Sequence, residues 1–189
     1  MADRPILIIA GTNRPNANAL RIAKILAGHY AKQPVAHEVF SLTDLPKEMF
    51  DPSAYASKPP AVQALQQRVL DALGLHVITP EYNGSFPGAL KYFIDMLKFP
   101  ESFDCKPVAF VGEANGAWGG LRAVEHLQGV FGYRNAHIFP ERVFIASVKE
   151  KFDAEGNIVD TAIDERLARQ AQRFAFYAQH MQTCGPVKK

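Results

Sequence analysis

The sequence predicts an α/β fold, a three-layer sandwich in which helices cover both faces of a five-stranded parallel sheet. Short apolar runs alternate with segments of helical periodicity along 189 residues. Several of these runs are continuously apolar, which is typical of strands covered on both faces. Right-handed crossovers restrict the topology to a doubly wound sheet, and five strands suit the order 2-1-3-4-5. With no internal repeat, residues 1–189 are expected to form a single domain.

The first part of the chain supplies two strands and one helix. Pro5–Ala10 (PILIIA) is rich in β-branched residues and ends at a glycine. Ala19–Lys32 carries apolar residues at every third or fourth position, the spacing of a helix that covers a core. Val35–Leu42 is predicted to be the second strand. The following segment, residues 43–60, is rich in Pro, Asp, Ser and Lys and is expected to be an exposed connection.

The rest of the chain continues this alternation and ends on a helix. We predict helices over 60–72, 88–98, 121–131 and 163–181, and strands over 75–79, over 107–112 and within 136–148. This order of elements is that of flavodoxin-like proteins.

Composition and charge exclude several classes of protein. Hydrophobic residues make up 48% of the chain and the net charge is only +2, so disorder is excluded as the main state and nucleic-acid binding is not expected. Two cysteines, Cys105 and Cys184, are too few for a disulfide framework. No apolar run approaches the roughly 18 residues of a membrane span, and no signal-peptide pattern opens the chain. We therefore expect a cytoplasmic protein without a membrane partner. The six histidines have no metal-ligand spacing, and we predict no metal site.

The segment that follows the first strand has the composition of an anion site. It runs from Gly11 to Asn18 and contains Thr12, Arg14 and Asn16 directly before a helix. The amino end of a helix presents free N–H groups and partial positive charge, which suits a phosphate. The alternative is that Asn16 or Asn18 merely caps the helix. Neither GxxxxGK[ST] nor GxGxxG is present, so a P-loop is excluded and a dinucleotide fingerprint is poorly supported.

The segment that follows the third strand combines rigid turns with an aromatic ring. Two prolines and two glycines fall within Thr79–Gly88, together with Tyr82. A planar heterocycle needs a flat surface and backbone groups that bond its edge, and this segment offers both. The alternative is a rigid turn in which Tyr82 and Phe86 cover the core.

The segment that follows the fourth strand, Glu113–Gly120, holds three glycines and the only tryptophan, Trp118. Glycines let the backbone approach a ligand closely, and their N–H groups can stabilise a negative ring edge. The alternative is a simple turn with Trp118 in the core or in an interface. Because ligands of open α/β sheets bind at the carboxyl ends of the strands, the three segments together predict one site.

Three motifs in order resemble the NADPH-dependent FMN reductase family. They are Gly11-Thr12-Asn13-Arg14, the run PEYNGS with PGALK from Pro80, and Gly116 followed by GGLRA from Gly119. The resemblance implies FMN held without a covalent bond, with its phosphate at Thr12, Arg14 and Asn18. Ala17 stands where many members have Ser, and Asn16 or Asn18 is expected to replace that hydroxyl. The residues implied to contact the ring are Pro80, Glu81, Tyr82, Asn83, Gly84, Asn115 and Gly116.

The same resemblance implies an FMN-dependent oxidoreductase. It would take hydride from NADPH or NADH and pass electrons to a quinone, free flavin or similar acceptor by a ping-pong mechanism. Because the flavin carries the redox chemistry, no catalytic side chain is expected. The family implies a homodimer or homotetramer. The alternatives are an FMN-binding electron carrier, disfavoured by the near-neutral charge, and a dinucleotide-fold dehydrogenase, disfavoured by the missing glycine motif.

Overall fold

The computed structural model describes residues 4–181 of the chain. Five parallel strands form one sheet in the order β2-β1-β3-β4-β5, which confirms the predicted topology. The strands are β1 (Ile6–Ala10), β2 (His37–Ser41), β3 (Gly74–Pro80), β4 (Pro107–Glu113) and β5 (His137–Ile145).

Helices cover both faces of the sheet. They are α1 (Asn18–Tyr30), α2 (Pro60–Asp71), α3 (Gly88–Asp95), α4 (Leu121–Tyr133) and α5 (Thr161–His180). The sheet separates two hydrophobic clusters, one shared with α1 and α5 and the other with α2, α3 and α4. Every residue of β1, β3 and β4 is buried and most of them are apolar, whereas the edge strand β2 is partly exposed.

The connection between β2 and α2 is buried at two positions of a segment that the sequence predicts to be exposed. It forms three short 3₁₀ turns, Leu42–Asp44, Lys47–Phe50 and Pro52–Tyr55. Met49 is 1% and Ala54 is 0% exposed, and both belong to the core under α3. Most of the connection is exposed as expected, and the two exceptions arise because tight turns bring these apolar side chains inward.

Two aromatic residues, Phe131 and Trp118, differ in burial. Phe131 is buried between Phe103 and Phe110, whereas Trp118 is 63% exposed, so the core alternative for Trp118 was wrong.

Helix α3 ends at Asp95, three residues earlier than predicted. Cys184, one of the two cysteines, lies outside the described residues. Within residues 4–181, no helix has the length and hydropathy to cross a bilayer.

His76 lies in a buried hydrogen-bonded network at the centre of the sheet. Its Nδ1 is 2.8 Å from the Tyr30 hydroxyl, and its Nε2 is 3.1 Å from Gln170 Oε1. Gln170 Nε2 donates to the carbonyl oxygens of Phe110 and Glu141, so its Oε1 faces the imidazole as an acceptor. Nε2 therefore carries the proton, and Nδ1 accepts from Tyr30. Burial lowers the pKa of His76 to about 4, which keeps the ring neutral.

The side chain of Lys106, directly before β4, caps the carboxyl end of α2. Its Nζ donates to the carbonyl oxygens of Val69, Leu70 and Ala72 at 2.7–3.2 Å. Burial lowers the pKa of Lys106 to about 8. These carbonyl groups have no partners within the helix, so the buried ammonium satisfies them.

Candidate active-site cleft

A cleft of about 800 Å³ lies at the carboxyl edge of the sheet, where the segments after β1, β3 and β4 meet. In the register of the strands Ala10 pairs with Ile78, and Glu113 pairs with both Pro80 and Ile145, so these strands end at the same edge. Ten of the eleven predicted site residues line the cleft: Arg14, Asn16, Asn18, Pro80, Glu81, Tyr82, Asn83, Gly84, Asn115 and Gly116.

Thr12 is the predicted site residue that does not line the cleft. It is 2% exposed and lies behind Tyr82, with 3.2 Å between the two hydroxyl oxygens. Its Oγ1 also accepts from the N–H of Arg14 at 3.2 Å. Thr12 therefore connects the segment after β1 to the aromatic side chain of the segment after β3.

Helix α1 begins in the cleft without a side-chain cap. Ala17 is its N-cap residue, and no side chain accepts from the first-turn N–H groups. The capping alternative for Asn16 and Asn18 was therefore wrong. Asn16 instead adopts a left-handed conformation, with φ of 55°, in the turn that precedes the helix. The open amide groups and the exposed Arg14 form a positive end of the cleft.

The segment after β3 forms a tight turn that fixes Tyr82. The backbone groups of Tyr82 and Ser85 exchange two hydrogen bonds, at 2.8 and 3.0 Å. Both residues between them, Asn83 and Gly84, have positive φ, which is the type I′ turn that Asn-Gly favours. The rigid turn was one of the two interpretations of this segment, and in the structure it also forms one wall of the cleft.

Glu81 presents a buried oxygen atom without a partner. Its Oε1 accepts from Arg122 at 3.2 Å, whereas its Oε2 is buried and has no hydrogen bond among the described residues. A buried acceptor without a donor costs free energy, so this wall of the cleft favours a ligand that carries an N–H or O–H group.

The glycines of the segment after β4 have two different roles, close backbone packing at Gly120 and an open cleft wall at Gly116. A Cβ on Gly120 would lie 2.6 Å from the backbone nitrogen of Glu113, and φ at Gly120 is +87°. Gly116, in contrast, has no atom within 4 Å of such a Cβ and lines the cleft. Asn115 Oδ1 accepts from the N–H of Lys149 at 3.3 Å, which ties this segment to the chain after β5.

Sequence analysis missed three charged residues of the lining, namely Arg21, Glu113 and Lys149. Arg21 lies one turn into α1 from Asn18, so helical spacing could have indicated it. Glu113 ends an otherwise apolar strand, but nothing in the sequence indicates that this residue is buried. Nothing in the sequence places Lys149 there, because its position depends on the path of the chain after β5.

Glu113 is the most perturbed acid of the cleft. It is 5% exposed, and burial raises the pKa of its carboxyl group to about 7, although the nearby Arg14 acts in the opposite direction. The cations Arg14, Arg21 and Lys149 therefore share the lining with a carboxyl group that is half protonated near neutral pH.

The fold and the position of the cleft together indicate the class of protein. Strand order reverses at β1 and β3, and the cleft lies at that switch point, outside the carboxyl ends of the strands, as in flavodoxin-like proteins. The sequence pattern of the NADPH-dependent FMN reductase family matches residues 5–151. The chain belongs to the NADPH-dependent FMN reductase family, which confirms both the resemblance and the prediction of an oxidoreductase.

Individual relatives support this assignment. The chain is 30% identical over 148 residues to an NAD(P)H-dependent FMN reductase of Pseudomonas aeruginosa, covering 76% of this chain and 79% of that protein. It is 29% identical over 174 residues to a 2-hydroxy-1,4-benzoquinone reductase of a Burkholderia species, covering 90% and 93%. Among solved structures, the flavoenzyme NAD(P)H:acceptor oxidoreductase FerB of Paracoccus denitrificans has the same fold, with a TM-score of 0.78, 24% identity, and coverage of 93% and 97%.

Proposed function

We propose that the chain binds FMN without a covalent bond in this cleft, oxidises NADPH or NADH, and reduces a quinone, a free flavin or a similar small acceptor. Family membership supports the reductase activity, and relatives named for FMN and for a quinone support the cofactor and the acceptor class. The two substrates would use the cleft in turn, which is a ping-pong scheme. A homodimer or homotetramer in the cytoplasm stays a prediction.

The observation that carries this proposal is the match between the two ends of the cleft and the two ends of FMN. At one end, the uncapped α1 and Arg14 suit a phosphate dianion. At the other end, Gly116 leaves room beside the backbone, and Glu81 Oε2 needs a donor such as a ring N–H. FMN carries both an anionic group and a flat ring with a polar edge.

The side chains of the cleft would position substrates rather than transfer protons. When bound, FMN supplies the hydride and electron transfer. The hydrogen bond between the hydroxyl groups of Thr12 and Tyr82 and the turn at Asn83 hold Tyr82 in place as a wall for the ring and for a stacked nicotinamide. The Arg122 guanidinium donates to Glu81 and orients its carboxyl group at the polar edge.

A binding titration tests the cofactor. We expect the purified chain to quench FMN fluorescence with one site per chain and to turn over NADPH or NADH with a quinone. Arg14→Gln should weaken FMN binding about tenfold and leave riboflavin binding unchanged, because only FMN carries the phosphate. The exposed Arg169 on α5 provides the matched control, Arg169→Gln, which should not change either affinity.

Two results would contradict the proposal. One is the absence of FMN binding by the unmodified chain. The other is FMN binding without turnover of either nicotinamide, which would favour an electron carrier.

A further inference from the structure

The cleft contains one acidic group that the proposed function does not use. Glu113 is the last residue of β4, and its carboxyl group lines the cleft although the residue is 5% exposed. No hydrogen bond to this carboxyl group is found among the described residues, whereas the other cleft acid, Glu81, has Arg122 as a partner. The carboxyl oxygens are not fully enclosed and reach the cleft, so a ligand there can supply the hydrogen-bond partner that the protein does not.

Alternation along β4 places this carboxyl group near the anion-binding end. Glu113 is two residues from Val111, which belongs to the cluster under α1 and α5, so both side chains project to that face. The electrostatic effect of Arg14 on Glu113 agrees with this position. Glu113 therefore lies below the start of α1, between the anion-binding end of the cleft and the ring end at Gly116.

A negative charge at this position opposes the binding of an anion. The charged and titratable groups that share the cleft lining with Glu113 are Arg14 before α1, Arg21 on α1, Glu81 and Tyr82 after β3, and Lys149 after β5, and of these Arg14 acts on Glu113 electrostatically. Among described residues, α5 contributes none to the lining. The two arginines attract a phosphate dianion, and an ionised Glu113 repels it across a poorly solvated space.

We propose that Glu113 is a cofactor-binding residue that acts in its neutral, carboxylic acid form, donating its O–H to an oxygen of the phosphorylated hydroxyl chain of FMN. A neutral acid can donate its O–H at this position, which a carboxylate cannot, and it removes the charge that would repel the phosphate. When Glu113 is ionised in the free chain, FMN binding takes up one proton from the solvent. This inference rests on the proposed function.

Titration of the full-length flavin-free chain with FMN across pH tests the role of Glu113. If only the protonated form binds, the Kd of the unmodified chain rises more than tenfold between pH 7.0 and 8.5, since its free carboxyl group has a pKa of about 7. Glu113→Gln keeps a donor and cannot ionise, so its Kd should change less than about twofold over the same range. Glu125→Gln, an exposed site on α4, is the matched control and should follow the unmodified chain.

Proton uptake on FMN binding is a second readout, and it can be measured on the unmodified chain alone. Calorimetry at pH 8 in two buffers of different ionisation enthalpy should show uptake of close to one proton per FMN by the unmodified chain. Glu113→Gln should show about one proton less, because ionisation of the FMN phosphate is common to both proteins.

The possible outcomes separate this inference from the proposed function. A constant Kd between pH 7.0 and 8.5 without proton uptake by the unmodified chain overturns the role of Glu113, even if Glu113→Gln does not fold. Parallel pH profiles of the two proteins also overturn it while leaving FMN binding intact. If the unmodified chain binds no FMN at any pH, the proposed function fails as well.

Discussion

Acid should destabilise this protein through one buried histidine. His76 is 0% exposed, and burial lowers its pKa from 6.5 to about 4. The unfolded chain therefore binds this proton at a higher pH than the folded chain, so acid favours unfolding. The stability that neutral His76 supports is complete above pH 6.5 and is lost as the pH falls towards 4.

The size of the effect follows from the same two values. At about 1.4 kcal/mol per pH unit, a pKa lowered from 6.5 to about 4 corresponds to a loss of about 3 kcal/mol in the free energy of unfolding. Native proteins have total stabilities of roughly 5–15 kcal/mol, so this loss is large enough to measure.

Urea unfolding of the flavin-free chain between pH 7.5 and 4.5 measures this loss. His76→Gln removes the titrating ring and keeps a donor and an acceptor beside Tyr30 and Gln170. The gap in unfolding free energy between the unmodified chain and this variant should shrink, or reverse, by about 3 kcal/mol towards low pH. His180→Gln, at the exposed end of α5, is the control and should run parallel to the unmodified chain. If the curves of the unmodified chain and His76→Gln are also parallel, the reasoning is refuted.

Four further substitutions, one of them a control, test other contacts. Gly120→Ala should lower the free energy of unfolding by roughly 3 kcal/mol or more, because its φ of +87° and the short backbone contact both oppose a Cβ, whereas Gly116→Ala should change it by less than about 0.5 kcal/mol in the same urea assay. Thr12→Val should raise the Kd for FMN about fivefold in a fluorescence titration, since Tyr82 loses one hydrogen bond, and the circular dichroism spectrum should not change. Lys106→Met should cost about 1–2 kcal/mol by urea unfolding, because the carbonyl group of Val69 loses its donor while Arg4 still donates to those of Leu70 and Ala72; equal stability would contradict this role.

The fold could be predicted from the sequence because its signals are local. A continuous apolar run such as Pro5–Ala10 is typical of a central parallel strand, and helical spacing identifies what covers it. Residues 43–60 could not be predicted this way. Their composition is polar on average, while the burial of Met49 and Ala54 depends on the direction of each turn.

Most of the cleft could be predicted for a topological reason. Parallel strands that neighbour one another bring their following segments to one edge, so the order of the strands alone joins Arg14, Tyr82 and Gly116. Glu113 was passed over because a polar residue at the end of a strand resembles the start of any exposed turn. Its burial, and the approach of Lys149, depend on packing that no local pattern encodes.

The uncapped start of α1 recognises an anion through backbone amides, and backbone amides are the same in every protein. Such a contact cannot distinguish a flavin from a sugar phosphate or a nucleotide. Discrimination among the phosphorylated metabolites of a cell must then come from the far end of the cleft, where the turn at Asn83 and the open backbone at Gly116 are specific to this sequence. Affinity for the phosphate and selectivity among ligands thus reside at different ends of the cleft. A substitution at one end can therefore change affinity without changing selectivity, or the reverse.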